Sequence, residues 1–334
     1  MPRDPGSRRP TLKDLAREAG VSLASASYAV NGNGSVGEQT RAHILSAAER
    51  IGYRGNVAAR VTRTGRSGTL ALVVPDMTNP FFPSLAQMVF RAGRDAGFGM
   101  FLVDTEGSEP LEQKALAMVT GLGVDGVVWF PIRDKDTSAG CLDRIPTVVL
   151  DRTLPGYDHV GVDYLAAGRI AARHLIDRGH RRIGMISGPC DVASMRDRCA
   201  GAQALIEEEA ELAFRVENAF SLDLEPQVAA ALDGGGATAV FAAADVIALG
   251  AIRHLTRAGK RVPEDVSVLG FDDIPGADQS TPPLSTLEIP VAEIGQHAID
   301  ILVRNVAGGA GGATSLVQLD AQLVVRESVA APPL

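Results

Sequence analysis

Three cysteines in 334 residues, Cys141, Cys190 and Cys199, make an odd count with no C-x-x-C spacing. That excludes a disulfide framework and a cysteine zinc site, and reads as small reduced core residues. No apolar run reaches the roughly 18 residues a membrane helix needs. Met1 to Pro10 is basic and proline-rich, without the apolar stretch of a secretory signal. A cytoplasmic protein with no membrane partner is expected. Catalytic signatures are lacking as well: there is no G-x-x-x-x-G-K-[ST], H-E-x-x-H or G-x-S-x-G, and the six histidines do not pair at metal-ligand spacing. A literal G-x-G-x-x-G stands at Gly121, Gly123 and Gly126, but it follows a helical stretch and leads into the strand-like VVWF. A phosphate-cradling loop needs the opposite order. No enzyme activity, cofactor or metal is expected.

What is present is a globular balance, 46% apolar and 22% charged, enough to bury a large core. The length predicts about two or three domains. Charge is divided unevenly between them. Up to Ser67 there are 11 Lys and Arg against 5 Asp and Glu, whereas the remainder has 21 against 35. A basic head on an acidic body points to a polyanion-binding module joined to something else.

Met1 to Pro10 has the composition of a disordered arm. Thr11 with Asp14 then resembles a capping box, and Leu12, Leu15, Ala16 and Ala19 keep helical spacing up to a break at Gly20. Ser22 caps a second helix, whose Ala24, Ala26, Ala29 and Val30 are small enough for close helix approach, and Asn31 to Gly34 stops it. A third helix, about Glu38 to Ile51, offers Ile44, Leu45, Ala48 and Ile51 to close a small core. Two short helices on a tight glycine turn form a helix-turn-helix unit. The start of its second helix (Ser22, Leu23, Ala24) and its flank (Ser25, Ser27, Tyr28) suit a DNA major groove; on pattern alone, three small helices also suit an interaction module.

From Arg54 to Ser67 the chain has four arginines and no large apolar residue, so it is a linker. Beyond Thr69, β-rich runs (TLALVV, MFLV, DGVVWF, TVVL, RIGMIS, TAVFAA, VSVLGF) alternate with helical stretches, the pattern of parallel sheets flanked by helices. Roughly 265 residues exceed one comfortable sheet, so two α/β lobes with a cleft between them are expected.

The segments TLKDLAREAGVSLASASYAVNG and VGEQTRAHILSAAERIGYRGNVAAR resemble the DNA-binding head and hinge of the lactose-repressor (LacI/GalR) family of bacterial transcription regulators. LALVVPDMTNPFF, GVDYLAAGRIAARHLIDRGHRRIGMISGP, RVPEDVSVLGFDD and PPLSTLEIP follow in the family's order. The resemblance implies an α/β protein: an all-α helix-turn-helix head on a two-lobed, periplasmic-binding-protein-like (type I) body. The divisions expected are an arm at 1–10, the head at 11–54, a hinge at 55–67, and an effector-binding and dimerisation body at 68–334. Within the body, lobe 1 takes about 68–160 and 290–320, and lobe 2 about 161–289 and 321–332. An effector-responsive repressor of sugar or related metabolite genes is implied, binding double-stranded operator DNA as a homodimer on a pseudo-palindromic site. The chain ends at APPL without leucine heptads, so no tetramer-forming tail is expected. A solute-binding protein for transport would share the body but would need a secretion signal and would have no use for the basic head.

Position by position, the resemblance puts Leu23, Ala24 and Tyr28 at base-reading sites, and Thr11, Ser27, Asn31, Thr40 and Tyr53 at phosphates. Tyr28 replaces the arginine usual there, which removes a bidentate contact to guanine, while Leu23 and Ala24 suit thymine methyl groups. In the hinge, Asn56 and Ala59 match. Gly55 stands in place of a common proline and Thr62 in place of the leucine that wedges into the minor groove, so a shallower DNA bend is expected. In the body, Arg198 and Asp272 match ligand-gripping positions, able to bind vicinal sugar hydroxyls from two directions. Ser194 and Asp151 match further contacts, and Phe82 or Phe220 would cover the ligand's apolar face. Val192 replaces the arginine of purine-binding members and Ala244 a common asparagine, which argues against a purine effector; Trp129 and Phe130 are expected at a strand end facing the cleft.

Overall fold

The computed structural model describes residues 10–31, 36–53, 66–234, 236–309 and 314–333. The arm up to residue 9 and the hinge residues Asn56, Ala59 and Thr62 lie outside these. The chain divides into two units, Met1–Ser67 and Gly68–Leu334.

The described residues of the first unit form three helices, α1 (Leu12–Glu18), α2 (Leu23–Asn31) and α3 (Glu38–Arg50). The start of α1 is a full capping box: the Thr11 hydroxyl accepts from the Asp14 N–H, and the Asp14 carboxylate accepts from the Thr11 N–H at 2.8 Å. Such a cap stabilises by about 1 kcal/mol. Gly20 turns the chain at φ +62, and the Ser22 hydroxyl accepts from the Ser25 N–H at 3.0 Å to start α2. The core is Leu15, Ala16, Ala19, Ala26, Ala29, Ile44, Ala47 and Ala48, with Ile51 at its edge. Two expectations are corrected here. Ala24 is exposed rather than packed between helices, and Leu45 is 44% exposed. Helical geometry explains the second case: 44, 47, 48 and 51 share one face of α3, and 45 lies about 100° round the helix.

In the second unit, β1 (Thr69–Val74), β2 (Gly99–Asp104), β3 (Gly126–Trp129), β4 (Thr147–Leu150), β5 (Asp158–Val162) and β11 (Leu316–Leu319) form one parallel sheet, in the order β11-β5-β4-β3-β1-β2. Alternation along β1 sends Leu70, Leu72 and Val74 toward α4 (Phe81–Asp95) and α10 (Val291–Arg304), and Ala71 and Val73 toward α5 (Glu109–Gly121). Both faces are covered, so the strand is apolar throughout. A second parallel sheet, β7-β6-β8-β9, comprises β6 (Arg182–Ser187), β7 (Glu211–Glu217), β8 (Ala239–Ala242) and β9 (Ser267–Leu269). One face packs on α6 (Tyr164–Asp177) and α7 (Ala193–Glu209), the other on α8 (Pro226–Gly234) and α9 (Asp245–Arg257). An antiparallel pair, β10 (Thr286–Glu288) with β12 (Gln322–Val324), lies beside β9. Among the described residues the chain passes between the sheets three times, at 163, at 289–290 and at 320–321.

The packing of α6 on α7 requires glycine. A Cβ at Gly168 would fall 2.0 Å from the Arg198 carbonyl oxygen, and one at Gly201 would fall 2.0 Å from that of Leu165. These two positions set where α7 sits.

Trp129 corrects a further expectation. Its indole N–H donates to Glu112 at 3.0 Å and its ring is fully buried on the α5 side. Phe130, one residue on, points the other way, against Phe82 at 5.0 Å between ring centres.

Candidate functional site

In the head, α2 is two-sided. Ala26 and Ala29 face the core, while Leu23 and Tyr28, each 45% exposed, stand out with Ala24 on the opposite side. Leaving apolar side chains in water costs free energy unless another molecule covers them. Ser22 is exposed at the start of α2 and Thr40 in the first turn of α3, while Thr11 and Ser27 are half-buried. Burial of Tyr53 against the edge of the core pushes its phenol upward from its ordinary value. Asn31 ends α2, its side chain outside the described residues.

In the body, the carboxyl ends of the strands converge, the place where open α/β sheets bind ligands. Arg198, on the second turn of α7, is buried: one nitrogen donates to Asp272 at 3.3 Å and to the Ala243 carbonyl at 3.0 Å, and its Nε donates to the Ser194 carbonyl at 3.2 Å. Its guanidinium lies over Phe271 at 4.0 Å and Tyr164 at 4.5 Å from the ring centres. Burial alone would lower its affinity for the proton, but Asp272 and Tyr164 reverse that and hold the guanidinium firmly charged. Burial pushes the Asp272 carboxyl up to about 8, with Arg198 pulling against it.

A second pair stands opposite. Arg152 is bound to Asp151, donates to the Ser194 hydroxyl at 3.0 Å, and lies over Phe130 at 5.0 Å. Its buried Nε makes no hydrogen bond among the described residues and faces Asp134 at 3.6 Å. Burial pushes the Tyr164 phenol well above its ordinary value and nearby Asp151 adds to the rise, so the ring under Arg198 also borders the second pair. Asp151 and Asp272 both sit at positive φ, +64 and +117, a conformation that costs of order 1–3 kcal/mol for a residue with a side chain.

The two lobes also meet across this cleft through charges. Asp134, just beyond β3, accepts from the Ala193 N–H at 2.7 Å and from Arg196 at 2.8 Å. Arg133 pairs with Asp191 and, at 3.5 Å, with Glu109.

The structure therefore brings together Asp151, Ser194, Arg198 and Asp272. Phe82 reaches the group through Phe130, buried behind Arg152. Phe220 is apart from the two Asp–Arg pairs: it is 42% exposed and packs at Gly188, where a Cβ would fall 2.7 Å from its ring. Sequence reasoning passed over Arg152, Tyr164, Phe271 and Asp134. The signal for Arg152 was a second charge directly following Asp151 at the end of a fully apolar strand. Beneath the site, Asp245 holds the loop that carries Asp272: it accepts from Thr286 at 2.6 Å and from the Ile274 N–H at 2.9 Å. Val192, expected in place of the arginine of purine-binding members, and Ala244, in place of a common asparagine, are both buried.

Two family models match the chain: bacterial regulatory proteins of the lacI family over residues 11–56, and a periplasmic binding protein-like domain over residues 172–329. The HTH-type transcriptional repressor PurR of Photobacterium profundum is 30% identical, covering 96% of this chain and 98% of its own. The ribose operon repressor of Halalkalibacterium halodurans is 31% identical over 95% of this chain and 96% of its own. In structure, the chain resembles the lac repressor dimer bound to operator and the anti-inducer ONPF, with a TM-score of 0.86 at 24% identity, covering 97% of this chain and all of that one. None of the helices among the described residues is long and apolar enough to cross a membrane.

Proposed function

The chain belongs to the lacI family of bacterial regulatory proteins, effector-responsive DNA-binding repressors, and from that premise we propose how its own residues divide the work. The head, 11–54, reads operator DNA. Helix α2 enters the major groove with Leu23 and Ala24 against thymine methyls and Tyr28 beside them. Thr11, Ser22, Ser27, Asn31, Thr40 and Tyr53 hold phosphates, and the hinge, 55–67, sets Asn56, Ala59 and Thr62 at the minor groove.

In the body, 68–334, the cleft takes a small polyhydroxylated effector, a sugar or related metabolite. Asp151 and Asp272 accept from ligand hydroxyls, Arg152, Arg198 and Ser194 donate, and Phe82 with Phe130 supplies an apolar wall, with Phe220 at the rim. The observation that carries this reading is the convergence of two buried Asp–Arg pairs on one cleft. Buried charges are expensive unless paired, and a network this costly supports a binding role over a purely structural one. The buried Nε of Arg152, without a hydrogen bond among the described residues and 3.6 Å from Asp134, adds a donor for a ligand oxygen. The name of the ribose operon repressor supports the same ligand class.

A homodimer would place two heads on one two-fold site. A groove of about 800 Å³ on α4, lined by Met77, Phe90 and Leu102 among others, supports a seat for a second copy. The protein would work beside its DNA in the cytoplasm and turn over no substrate. Binding of effector shifts the lobes and with them the hinges, with a coupling of about 1–3 kcal/mol.

Selection from random duplexes by the purified full-length chain at moderate salt tests this. An inverted repeat should be enriched, and Tyr28→Ala should change the bases chosen in each half-site. Failure to enrich any sequence would overturn the reading.

A further inference from the structure

The loop from β6 to α7 carries a cluster of sulfur atoms that the effector reading leaves unused. The Cys190 thiol is half-buried and donates to the Gly188 carbonyl at 3.5 Å, with the exposed Arg215 guanidinium 4.0 Å away. The Gly188 N–H in turn meets the Met195 sulfur at 3.3 Å, and the fully buried Cys199 thiol lies 3.9 Å from that same sulfur. The two thiols therefore border one group, Cys199 touching the Met195 sulfur directly and Cys190 touching the Gly188 peptide that meets it. Cys141, the remaining cysteine, sits in the other lobe.

We propose that Cys190 and Cys199 form a dithiol that a hydroperoxide oxidises to a disulfide, and that this bond alters the first turns of α7. Cys190, the less buried of the two and beside the Arg215 guanidinium, is the attacking sulfur. Burial pushes the Cys199 thiol up to about 12, so it acts second. Cys190 gives up its proton and attacks one oxygen of hydrogen peroxide. The O–O bond breaks, the departing hydroxide takes the proton as water, and Cys190 becomes a sulfenic acid. The Cys199 sulfur then attacks the Cys190 sulfur, the S–O bond breaks, and the thiol proton leaves with that oxygen as a second water. Two thiols lose two electrons, and one peroxide is reduced to two waters.

The effector site feels this directly. The Cys190 carbonyl accepts from Arg196 at 3.3 Å, whose other nitrogen holds Asp134 of the opposite lobe. Ser194 lies in the first turn of α7, and Arg198 immediately precedes Cys199. The chemistry goes beyond the effector reading; only its consequence for the ligand rests on that reading.

The test uses the reduced full-length chain, titrated with hydrogen peroxide, alkylated and mapped by mass spectrometry without reductant. The expected product is a peptide pair linking Cys190 to Cys199, lighter by two hydrogens and restored by dithiothreitol, while Cys141 still alkylates. Cys199→Ser should leave a sulfenic acid on Cys190 that dimedone traps, and Cys190→Ser should leave Cys199 unreacted. Oxidation of Cys141 before any linked peptide forms, or no dimedone adduct in Cys199→Ser, would overturn the dithiol. Amide exchange over residues 190–198 should change several-fold on oxidation of the wild type and not in Cys199→Ser; unchanged exchange in the linked protein would overturn its effect on α7 and leave the function proposed above intact.

Discussion

In the head, the side chains offered to another molecule stand out of the surface: Leu23 and Tyr28 are each 45% exposed, over a core of alanines with one leucine and one isoleucine. In the body, Arg198, Asp272, Arg152 and Asp151 are all nearly closed off from solvent, with side chains at most 10% exposed. The difference follows from the partners each region suits. A duplex is large and already solvated, so a small rigid helix needs only to present a few groups to it. A small polar ligand must be surrounded, and charges able to grip it must first be stabilised by one another, by rings and by backbone. The head therefore tolerates surface change without loss of fold, whereas in the body binding and stability share residues.

Substitutions can break that contrast. Arg198→Ala has the largest expected effect: it strands Asp272 in the interior, costing about 3–5 kcal/mol of stability, and abolishes the effector response while leaving DNA affinity within a few-fold. Denaturant titration and operator binding check the two halves. Next is the pH dependence from Asp245, whose carboxyl burial raises from 3.8 to about 6. Between those values the unfolded chain releases the proton and the folded one keeps it, so the Asp245 contribution to stability falls as pH rises, by about 3 kcal/mol, and levels off above about 6, while Asp272, raised to about 8, adds a decline that continues beyond it. Urea midpoints measured across that window should fall in the wild type, and more shallowly in Asp245→Asn, which keeps only the part due to Asp272. Gly168→Ala would drive a methyl into the Arg198 backbone and should cost about 1–3 kcal/mol, with weakened effector binding, by thermal denaturation and calorimetry. The smallest change in stability belongs to the head: Tyr28→Ala should leave it within about 0.5 kcal/mol, yet reduce operator preference by about 1–2 kcal/mol in competition assays. A Tyr28→Ala protein that unfolds would erase the contrast.

Much of this is legible in the amino-acid sequence. The capping box at Thr11, the break at Gly20 and the cap at Ser22 are local chemistry, and they delimit the head's first two helices. Apolar runs such as TLALVV are strands because both faces of a parallel sheet are covered. The strands that escaped notice, DHVGV and ELAFRVE among them, start with a charged residue or lie at a sheet edge where only part of each side chain is buried. Trp129 and Phe130 show a further limit. Neighbours along a strand point to opposite faces, and only the packing of α5 determines which face is buried away from the cleft. Likewise Leu45 belongs to a helix whose apolar residues outnumber the positions its core can take. At the site, the motif positions Arg198 and Asp272 could be named from their surroundings in the chain, but Tyr164 and Phe271 matter as the rings flanking a guanidinium, a role set by the fold.

The most direct measurement is the affinity of the full-length chain for its selected operator and for random duplex at moderate ionic strength, with and without a panel of pentoses and hexoses, in wild type and Arg198→Ala. The account predicts operator preference in both proteins, and at least one sugar that shifts it by about 1–3 kcal/mol in the wild type alone. Equal binding of operator and random duplex under every condition, or the same shift in both proteins, would contradict it.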